Sequence, residues 1–379
     1  MTSVLIQRER RPGETRVAAT PETVKKLRQA GLDVTVEAGA GDGAFFRDAA
    51  YEAAGAQIAA APPAESVDAV LRVGPVTAPE AVALRSGAVL VGLLAPHRHL
   101  DTVRALAERR ISALSMELVP RITRAQNMDA LSSQASIGGY KAVILAAERL
   151  PKYFPLLMTA AGTIPPARVV VMGAGVAGLQ AIATAKRLGA VVEVSDVRAA
   201  VKEQIESLGA KFIPLPMQES GEGQGGYARE MTPEFLAKQR EIVARHVAAA
   251  DVVITTAQVP GKRAPILVTR AMVESMKPGA VIVDLAAAEG GNCELSRPDE
   301  EPEHGGVRLL APTNLPATMP VDASTIYSRN VAALLLYLLK EGKLVIDPAD
   351  VITGPTLLTH DGAVTHAPTA GLVQVTSGA

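Results

Sequence analysis

The sequence predicts an α/β protein with two parallel-sheet domains, and three observations support this class. Short runs of β-branched residues alternate with helical patterns along most of the chain. A glycine-rich turn at 173–178 joins one such strand to one such helix. A late helical pattern at 322–340 follows the last strand of the second domain and is expected to return to the first. We therefore predict two Rossmann-like domains: a discontinuous one of residues 1–132 and 322–379, and a second of residues 133–321.

Composition narrows the functional class. The chain has 379 residues, 48% of them hydrophobic, with a net charge of −1 and no Trp. These values fit two domains of ordinary size and exclude a disordered or a nucleic-acid-binding chain. The single Cys293 excludes an internal disulfide, and we expect it to be a small buried residue in a reducing compartment.

The sequence contains no segment that we expect to enter a membrane. Charged residues begin at Arg8, so no signal-peptide pattern is present. The longest apolar run, 331–339, has nine residues, far fewer than the ~20 that a membrane-spanning helix needs.

The sequence of the first domain predicts alternating strands and helices, and it contains no phosphate-binding fingerprint. Thr20 is the expected N-cap of its first helix, with Pro21 in the first turn. The predicted strands lie at 3–6, 33–37, 67–73, 88–94 and 111–115, and the helices at 22–30, 48–54 and 100–109.

The glycine-rich turn predicts a dinucleotide site. It follows an apolar strand at 168–172 and opens a helix that ends near Gly189. Gly173 permits the tight turn, Gly175 lets a pyrophosphate approach the backbone, and Gly178 lets the helix pack on the sheet. The N–H groups of Val176 and Ala177 then belong to a first helical turn whose dipole favours an anion.

Asp196 supplies the second part of that fingerprint. It ends the next strand, 18 residues after the last glycine. Its carboxylate can accept both ribose hydroxyls of NAD and would repel the 2′-phosphate of NADP. Arg198, beyond Val197, could hold that phosphate in another geometry, but the acid favours NAD.

The second domain continues the alternation after one interruption. Strands are predicted at 211–215, 251–255, 281–285 and 307–310, and a helix at 233–248. The glycine-rich segment 216–231, with Gly226 and Tyr227, is compatible with either a mobile lid or a passive linker. After the late helix we expect a short strand at 343–346 and a polar tail.

A polar cluster stands at the start of a long predicted helix, 127–150. Arg121, Gln126, Asp129 and Ser132 gather a cation, an amide, a carboxylate and a hydroxyl near one helix start. From the residues alone, this cluster is compatible with helix capping or with part of a site.

A series of further motifs occurs in order over nearly the whole chain. They are Arg16-Val-Ala-Ala-Thr-Pro, Pro120-Arg-Ile-Thr-Arg-Ala-Gln-Asn-Met-Asp129, Met158-Thr-Ala-Ala-Gly-Thr163, the glycine turn, Thr255-Thr-Ala-Gln-Val-Pro-Gly261 and Val283-Asp-Leu-Ala. In these motifs the sequence resembles the NAD(H)-binding component, alpha-1 where the chain is split, of proton-translocating NAD(P)+ transhydrogenase.

The resemblance implies a function and its partners. In that family hydride passes from NADH to NADP+ on a separate domain, with Re/Si specificity, and this drives protons across a membrane domain. It therefore implies NAD(H) on this chain and NADP(H) on a partner subunit, a homodimer, and a membrane-spanning subunit. The chain would be cytoplasmic, peripheral to the inner membrane through those partners.

The resemblance also assigns residues. The nicotinamide-side loop matches Arg121, Gln126, Asp129 and Ser132, which raises that cluster to a catalytic site. The mobile loop with a tyrosine at its tip matches Gly226, Tyr227 and Met231. The segment 196–198 matches the adenosine-ribose contacts, and Ala257 and Gln258 match a cofactor-lining turn, although Gln258 stands where the family often has Leu.

Two other functions remain open from the sequence. Alanine dehydrogenase shares the fold, but its catalytic Lys falls near Arg72, its His near Leu94 or Ala95 and its Asp near Ala288. Arg cannot serve as a base, whereas a two-residue shift in alignment would place His97 or His99 at the His position. A non-enzymatic NAD-sensing module would not need the lid or the polar cluster. The other histidines, His246, His304, His360 and His366, lack metal-ligand spacing, so no metal site is predicted.

Overall fold

The computed structural model describes residues 1–215, 232–258 and 262–377. These residues form two compact units, one of residues 1–134 with 317–379 and one of residues 135–316. We describe each unit by itself. The first predicted boundary, 132/133, lies near the start of the helix Ala130–Arg149.

The first segment of unit 1 alternates strands and helices. Thr20 precedes the first helix, Pro21 opens it, and the Thr20 N–H donates to Thr23 Oγ1 at 2.9 Å. The elements are β1 Ser3–Ile6, α1 Pro21–Gln29, β2 Asp33–Glu37, α2 Asp48–Ala53, β3 Gln57–Ala59, β4 Ala69–Leu71, α3 Ala78–Val82, β5 Val89–Gly92, α4 Leu100–Glu108, β6 Ser112–Ser115 and the start of α5 Ala130–Arg149, whose residues from 135 onward belong to unit 2. A short 3-10 helix, Thr123–Met128, precedes α5.

Unit 2 contains most of α5, which is followed by a hairpin and then by a parallel sheet. Its elements are β7 Leu157–Thr159, β8 Gly162–Ile164, β9 Arg168–Met172, α6 Val176–Arg187, β10 Val191–Ser195, α7 Lys202–Ser207, β11 Lys211–Phe212, α8 Pro233–Ala249, β12 Val252–Thr255, α9 Arg270–Glu274, β13 Val281–Asp284, β14 Glu303–His304 and β15 Val307–Leu310.

The sheet of unit 2 has the Rossmann strand order. Its order is β11-β10-β9-β12-β13-β15-β14, parallel except for β14. The order of the chain reverses between β9 and β12, and dinucleotides bind at the carboxyl ends of strands at such a switch point. The predicted fold class is confirmed for this segment of the chain.

The chain then returns to unit 1, through elements that the sequence predicts incompletely. They are α10 Pro320–Leu338, β16 Leu339–Lys340, β17 Lys343–Leu344, α11 Thr353–Thr356, β18 Leu357–His360, β19 Ala363–Val364 and α12 Ala367–Ser377. The predicted polar tail is wrong. Leu357 and Leu358 are buried, and β18 pairs antiparallel with β6, which extends the sheet to the order β19-β18-β6-β5-β4-β1-β2-β3.

The cores explain why these elements form. The central strands are buried on both faces, as the continuous apolar runs of parallel sheets require. Tyr327, Val331 and Leu335 of α10 pack into the core of unit 1. Cys293 is buried in unit 2, as predicted, and burial raises the pKa of its thiol to about 11. In the described ranges, no helix combines the length and apolar character that crossing a bilayer requires.

Candidate dinucleotide site

The glycine turn between β9 and α6 has the geometry that the sequence predicts. Gly173 has φ +102°, and a Cβ there would lie 2.6 Å from Thr256 Oγ1. A Cβ on Gly178 would lie 1.9 Å from the carbonyl oxygen of Gly173. Both positions therefore require glycine, the first because of its backbone angle and the second because helix and strand approach so closely.

Gly175 differs from Gly173 and Gly178 in having open space around it. It is the N-cap of α6, and no atom lies within 4 Å of the position a Cβ would take. The first intrahelical hydrogen bond runs from Leu179 N to Gly175 O at 2.8 Å. The N–H groups of Val176 and Ala177 therefore precede the intrahelical ladder, as an anion-binding helix start requires.

Gly139 supports this turn, although it lies outside the predicted motifs. A Cβ at Gly139, in α5, would lie 2.0 Å from the carbonyl oxygen of Ala177. The backbones of α5 and α6 therefore touch at the helix start that faces the proposed phosphate. A pair of glycines within a helical pattern, Gly138 and Gly139, was the available signal.

Asp196 is buried at the end of β10 and is fully engaged by protein donors. Its Oδ2 accepts from the Ala174 N–H at 2.6 Å and from Arg198 Nη2 at 2.8 Å. Its Oδ1 accepts from the Arg198 N–H at 2.8 Å and from Nε at 3.0 Å. The carboxylate thus ties the glycine turn to β10, and ribose hydroxyls could bind it only by taking the place of Arg198.

Replacing Asp196 with alanine is expected to weaken NADH binding about tenfold and to narrow the preference for NADH over NADPH. The change removes the acceptor and the charge that opposes a 2′-phosphate, and it frees the Ala174 N–H. Titration with both nucleotides measures the result. Asp251→Ala is the control, because that carboxylate accepts from the Arg168 N–H and Lys152 at the opposite end of the sheet. An unchanged preference in Asp196→Ala would remove this residue from the site.

The predicted cofactor-lining residues Ala257 and Gln258 lie in the turn 255–258, which starts at the last residue of β12 and lies beside the glycine turn. Thr256 Oγ1 donates to Gly173 O at 3.0 Å, which joins the two turns directly. The exposed Gln258 donates to Leu285 O at 2.9 Å. The structure therefore brings Gly173, Asp196 and Ala257 to one edge of the sheet.

Asp129 and Ser132 of unit 1 make a helix cap. Asp129 Oδ1 accepts from the Ser132 N–H at 2.9 Å, and Oδ2 accepts from Ser132 Oγ at 2.6 Å. These contacts stabilise the first turn of α5. They match the capping interpretation and fix the carboxylate in place, and any role in catalysis remains a prediction.

Arg121 and Gln126 are exposed and lie in the segment that precedes this cap, Gln126 within the 3-10 helix Thr123–Met128. The 3-10 helix is held in place because its residues Ala125 and Met128 are buried in the core of unit 1. Asn330 of α10 also donates to Asn127 O at 2.8 Å. Gln126 is therefore presented outward from a firmly held backbone. The predicted lid residues Gly226, Tyr227 and Met231 lie outside the described residues.

The position expected for an alanine dehydrogenase lysine holds an arginine in a buried ion-pair cluster. Arg72 is 2% exposed and lies 3.3 Å from Glu9 Oε2 and 3.0 Å from Glu80 Oε1. Burial alone would lower the pKa of Arg72, but the two carboxylates raise it above its usual value. This group cannot accept a proton from a substrate.

The position expected for the dehydrogenase histidine carries backbone contacts instead. The Leu94 and Ala95 N–H groups both donate to the Glu117 carboxylate, at 3.0 and 2.5 Å. Glu117 therefore occupies both backbone donors just beyond the end of β5. His99, which a two-residue shift in alignment would place at the histidine position, has a pKa lowered by burial and by the nearby cations Arg11 and Arg98.

Comparison with known proteins agrees with these features. Residues 142–367 match the family described as alanine dehydrogenase/PNT, C-terminal domain, and residues 5–138 match its N-terminal domain. The chain belongs to the alanine dehydrogenase/PNT family. The transhydrogenase resemblance seen in the sequence is therefore confirmed at the level of the family.

Within the alanine dehydrogenase/PNT family the chain is more similar to transhydrogenase subunits. It is 50% identical over 379 residues to the first part of NAD(P) transhydrogenase subunit alpha of Rhodospirillum rubrum, covering 97% of this chain and 99% of that one. A solved transhydrogenase from Sinorhizobium meliloti has a TM-score of 0.85 at 45% identity, covering 97% and 99% of the two chains. Alanine dehydrogenase of Mycobacterium tuberculosis H37Rv is 31% identical, covering 95% and 93%.

Proposed function

We propose that this chain is the NAD(H)-binding component of a proton-translocating NAD(P)+ transhydrogenase. It would present NADH so that hydride passes, with Re/Si specificity, to NADP+ held on a separate subunit. The observation that carries the proposal is a complete dinucleotide turn combined with Arg72 and backbone donors where a dehydrogenase needs acid–base groups. The identity to transhydrogenase alpha subunits supports it independently.

Hydride transfer between two nicotinamides requires this chain mainly to position its cofactor. Reduced nicotinamide supplies a hydride that oxidised nicotinamide accepts, so both electrons and the hydrogen move together without a separate proton transfer. An amino-acid dehydrogenase must in addition accept a proton near the reacting carbon. The residues proposed for this chain, from Gly173 to Asp196 and from Arg121 to Ser132, would bind and orient the dinucleotide and exclude water.

We also propose that the chain is a homodimer, peripheral to the cytoplasmic face of the inner membrane through an NADP(H)-binding and a membrane-spanning subunit. An exposed apolar hairpin, β7–β8, supports self-association. Met158 is 78% exposed there, and Ile164 and the adjacent Leu156 are also exposed. Exposed apolar groups clustered on one hairpin are typical of a contact surface. Relatives are named as subunit alpha or as a portion of that subunit, which supports further partners.

The purified chain is expected to bind NADH and to show no alanine-dependent NADH formation. Mixed with the NADP(H)-binding subunit of a transhydrogenase, it should reduce an NADP analogue in an NADH-dependent reaction. NADH deuterated on either face of C4 reports which hydrogen moves, and sedimentation of the same sample reports the oligomeric state. The mixture without this chain is the control. Oxidation of alanine by the chain alone would contradict the proposal.

A further inference from the structure

We propose that Asn292 is a positioning residue for the nicotinamide half of the cofactor, acting through the turn 255–258. This inference rests on the proposed NAD(H)-binding function and adds a residue to it. Asn292 lies outside every motif from which the sequence predicted the site. Its side chain hydrogen-bonds to both the N–H and the C=O of Ala257, in the cofactor-lining turn.

The side-chain amide of Asn292 belongs to a fully buried residue and uses both of its donors. Its Oδ1 accepts from the Ala257 N–H at 3.0 Å. Its Nδ2 donates to Ala257 O at 2.9 Å and to Pro265 O at 2.8 Å. Because the amide contacts the N–H and the C=O of Ala257 together, it fixes the position and the orientation of that residue's backbone.

Asp284 fixes the backbone of Asn292 in turn. Its carboxylate is 0% exposed and accepts from the Asn292 N–H at 2.8 Å and the Cys293 N–H at 3.0 Å. It also accepts from Thr255 Oγ1 at 2.9 Å, at the end of β12. The Asp284 carboxylate therefore joins the end of β12 to the segment that carries Asn292. One group thus holds both Asn292 and the strand that leads into the turn 255–258.

The turn that Asn292 holds lies on one side of the switch point. It follows β12 and contacts the glycine turn through Thr256 and Gly173, whereas Asp196 follows β10 on the other side of β9. A Rossmann sheet is built from two mononucleotide-binding halves, with the dinucleotide lying across their junction. The turn 255–258 therefore belongs to the half opposite Asp196, and Asn292 is expected to act on nicotinamide placement and not on adenosine binding.

The two ends of the cofactor can be measured separately. Removing the Asn292 amide leaves the Ala257 N–H and C=O without these partners, so the turn is free to shift. A displacement of about 1 Å is enough to slow a positioned reaction strongly. The ligand 5′-AMP probes the Asp196 half alone, whereas NADH probes both halves.

The experiment uses the full chain and the variants Asn292→Ala and Asn292→Ser, with NADH and 5′-AMP titrated by calorimetry. We expect the NADH Kd of Asn292→Ala to rise about tenfold, with the 5′-AMP Kd within about twofold of wild type. Hydride transfer with the NADP(H)-binding subunit should fall at saturating NADH. Asn292→Ser, which keeps one polar group and is less disruptive to folding, should change the same quantities in the same direction by less.

Thr359→Val is the matched control for the loss of a buried hydrogen bond. Thr359 is buried in unit 1 and donates to Ile111 O at 2.8 Å. This variant is expected to lower the unfolding midpoint while leaving both Kd values unchanged. It separates lost stability from lost positioning.

Three outcomes decide between the possibilities. Loss of NADH affinity and transfer with retained 5′-AMP affinity supports the assignment. Wild-type behaviour of both Asn292 variants, or an equal loss of 5′-AMP and NADH affinity, overturns the assignment while the proposed function stands. A wild-type chain that binds neither ligand refutes the proposed function itself and this inference with it.

Discussion

Replacing Gln126 with alanine is expected to slow hydride transfer about 100-fold while changing the NADH Kd by less than about threefold. Gln126 is exposed and lies in the 3-10 helix Thr123–Met128, of which Ala125 and Met128 are buried. Its proposed task is geometric, because a side chain presented outward from a fixed backbone can orient the reacting rings without contributing much to ground-state binding. Single-turnover transfer to an NADP analogue and NADH titration measure the two quantities separately.

Asn127→Ala is the control for this prediction. Asn127 is the next residue of the same 3-10 helix and is also exposed, and it is its main-chain oxygen that accepts from Asn330. Its truncation should therefore leave the 3-10 helix anchored and transfer near the wild-type rate. Equal losses of binding and transfer in Gln126→Ala would show that this residue binds the ground state and does not position the rings.

Replacing Gly178 with alanine is expected to destabilise the protein by about 3 kcal/mol or more and to abolish NADH binding. The added Cβ would lie 1.9 Å from the Gly173 carbonyl oxygen, and that oxygen belongs to the backbone. Relief requires α6 to move away from β9, which displaces the helix start that faces the proposed pyrophosphate. Urea unfolding and NADH titration give the two effects.

Gly175→Ala provides the contrasting case. No atom lies within 4 Å of its added Cβ, and Gly175 has φ −74°, which alanine adopts without strain. Stability should therefore stay close to wild type, whereas the methyl group obstructs the approach of the pyrophosphate and weakens NADH binding. Normal NADH affinity in Gly175→Ala would place the phosphate elsewhere, and normal stability in Gly178→Ala would contradict the observed packing.

Local patterns carried most of the successful sequence predictions. The glycine turn, the strand before it and the acid after it lie within about 30 residues and depend on backbone angles and close packing, which residue types specify directly. Parallel strands can be predicted from the sequence equally well, because burial on both faces requires continuous apolar runs. The polar tail was wrong because the pairing of β18 with β6 joins residues far apart in the chain, and no local pattern encodes that contact.

The sequence by itself determined the α/β class and the turn from Gly173 to Gly178, because these depend on the residues present and their near neighbours. Only the tertiary structure decided that Gly139 lets the backbones of α5 and α6 come into contact and that the Asn292 side chain hydrogen-bonds to the backbone of Ala257. The physical reason is distance along the chain. A contact between residues as far apart as Asn292 and Ala257, which are 35 positions from each other, follows from how elements pack together and not from either segment alone.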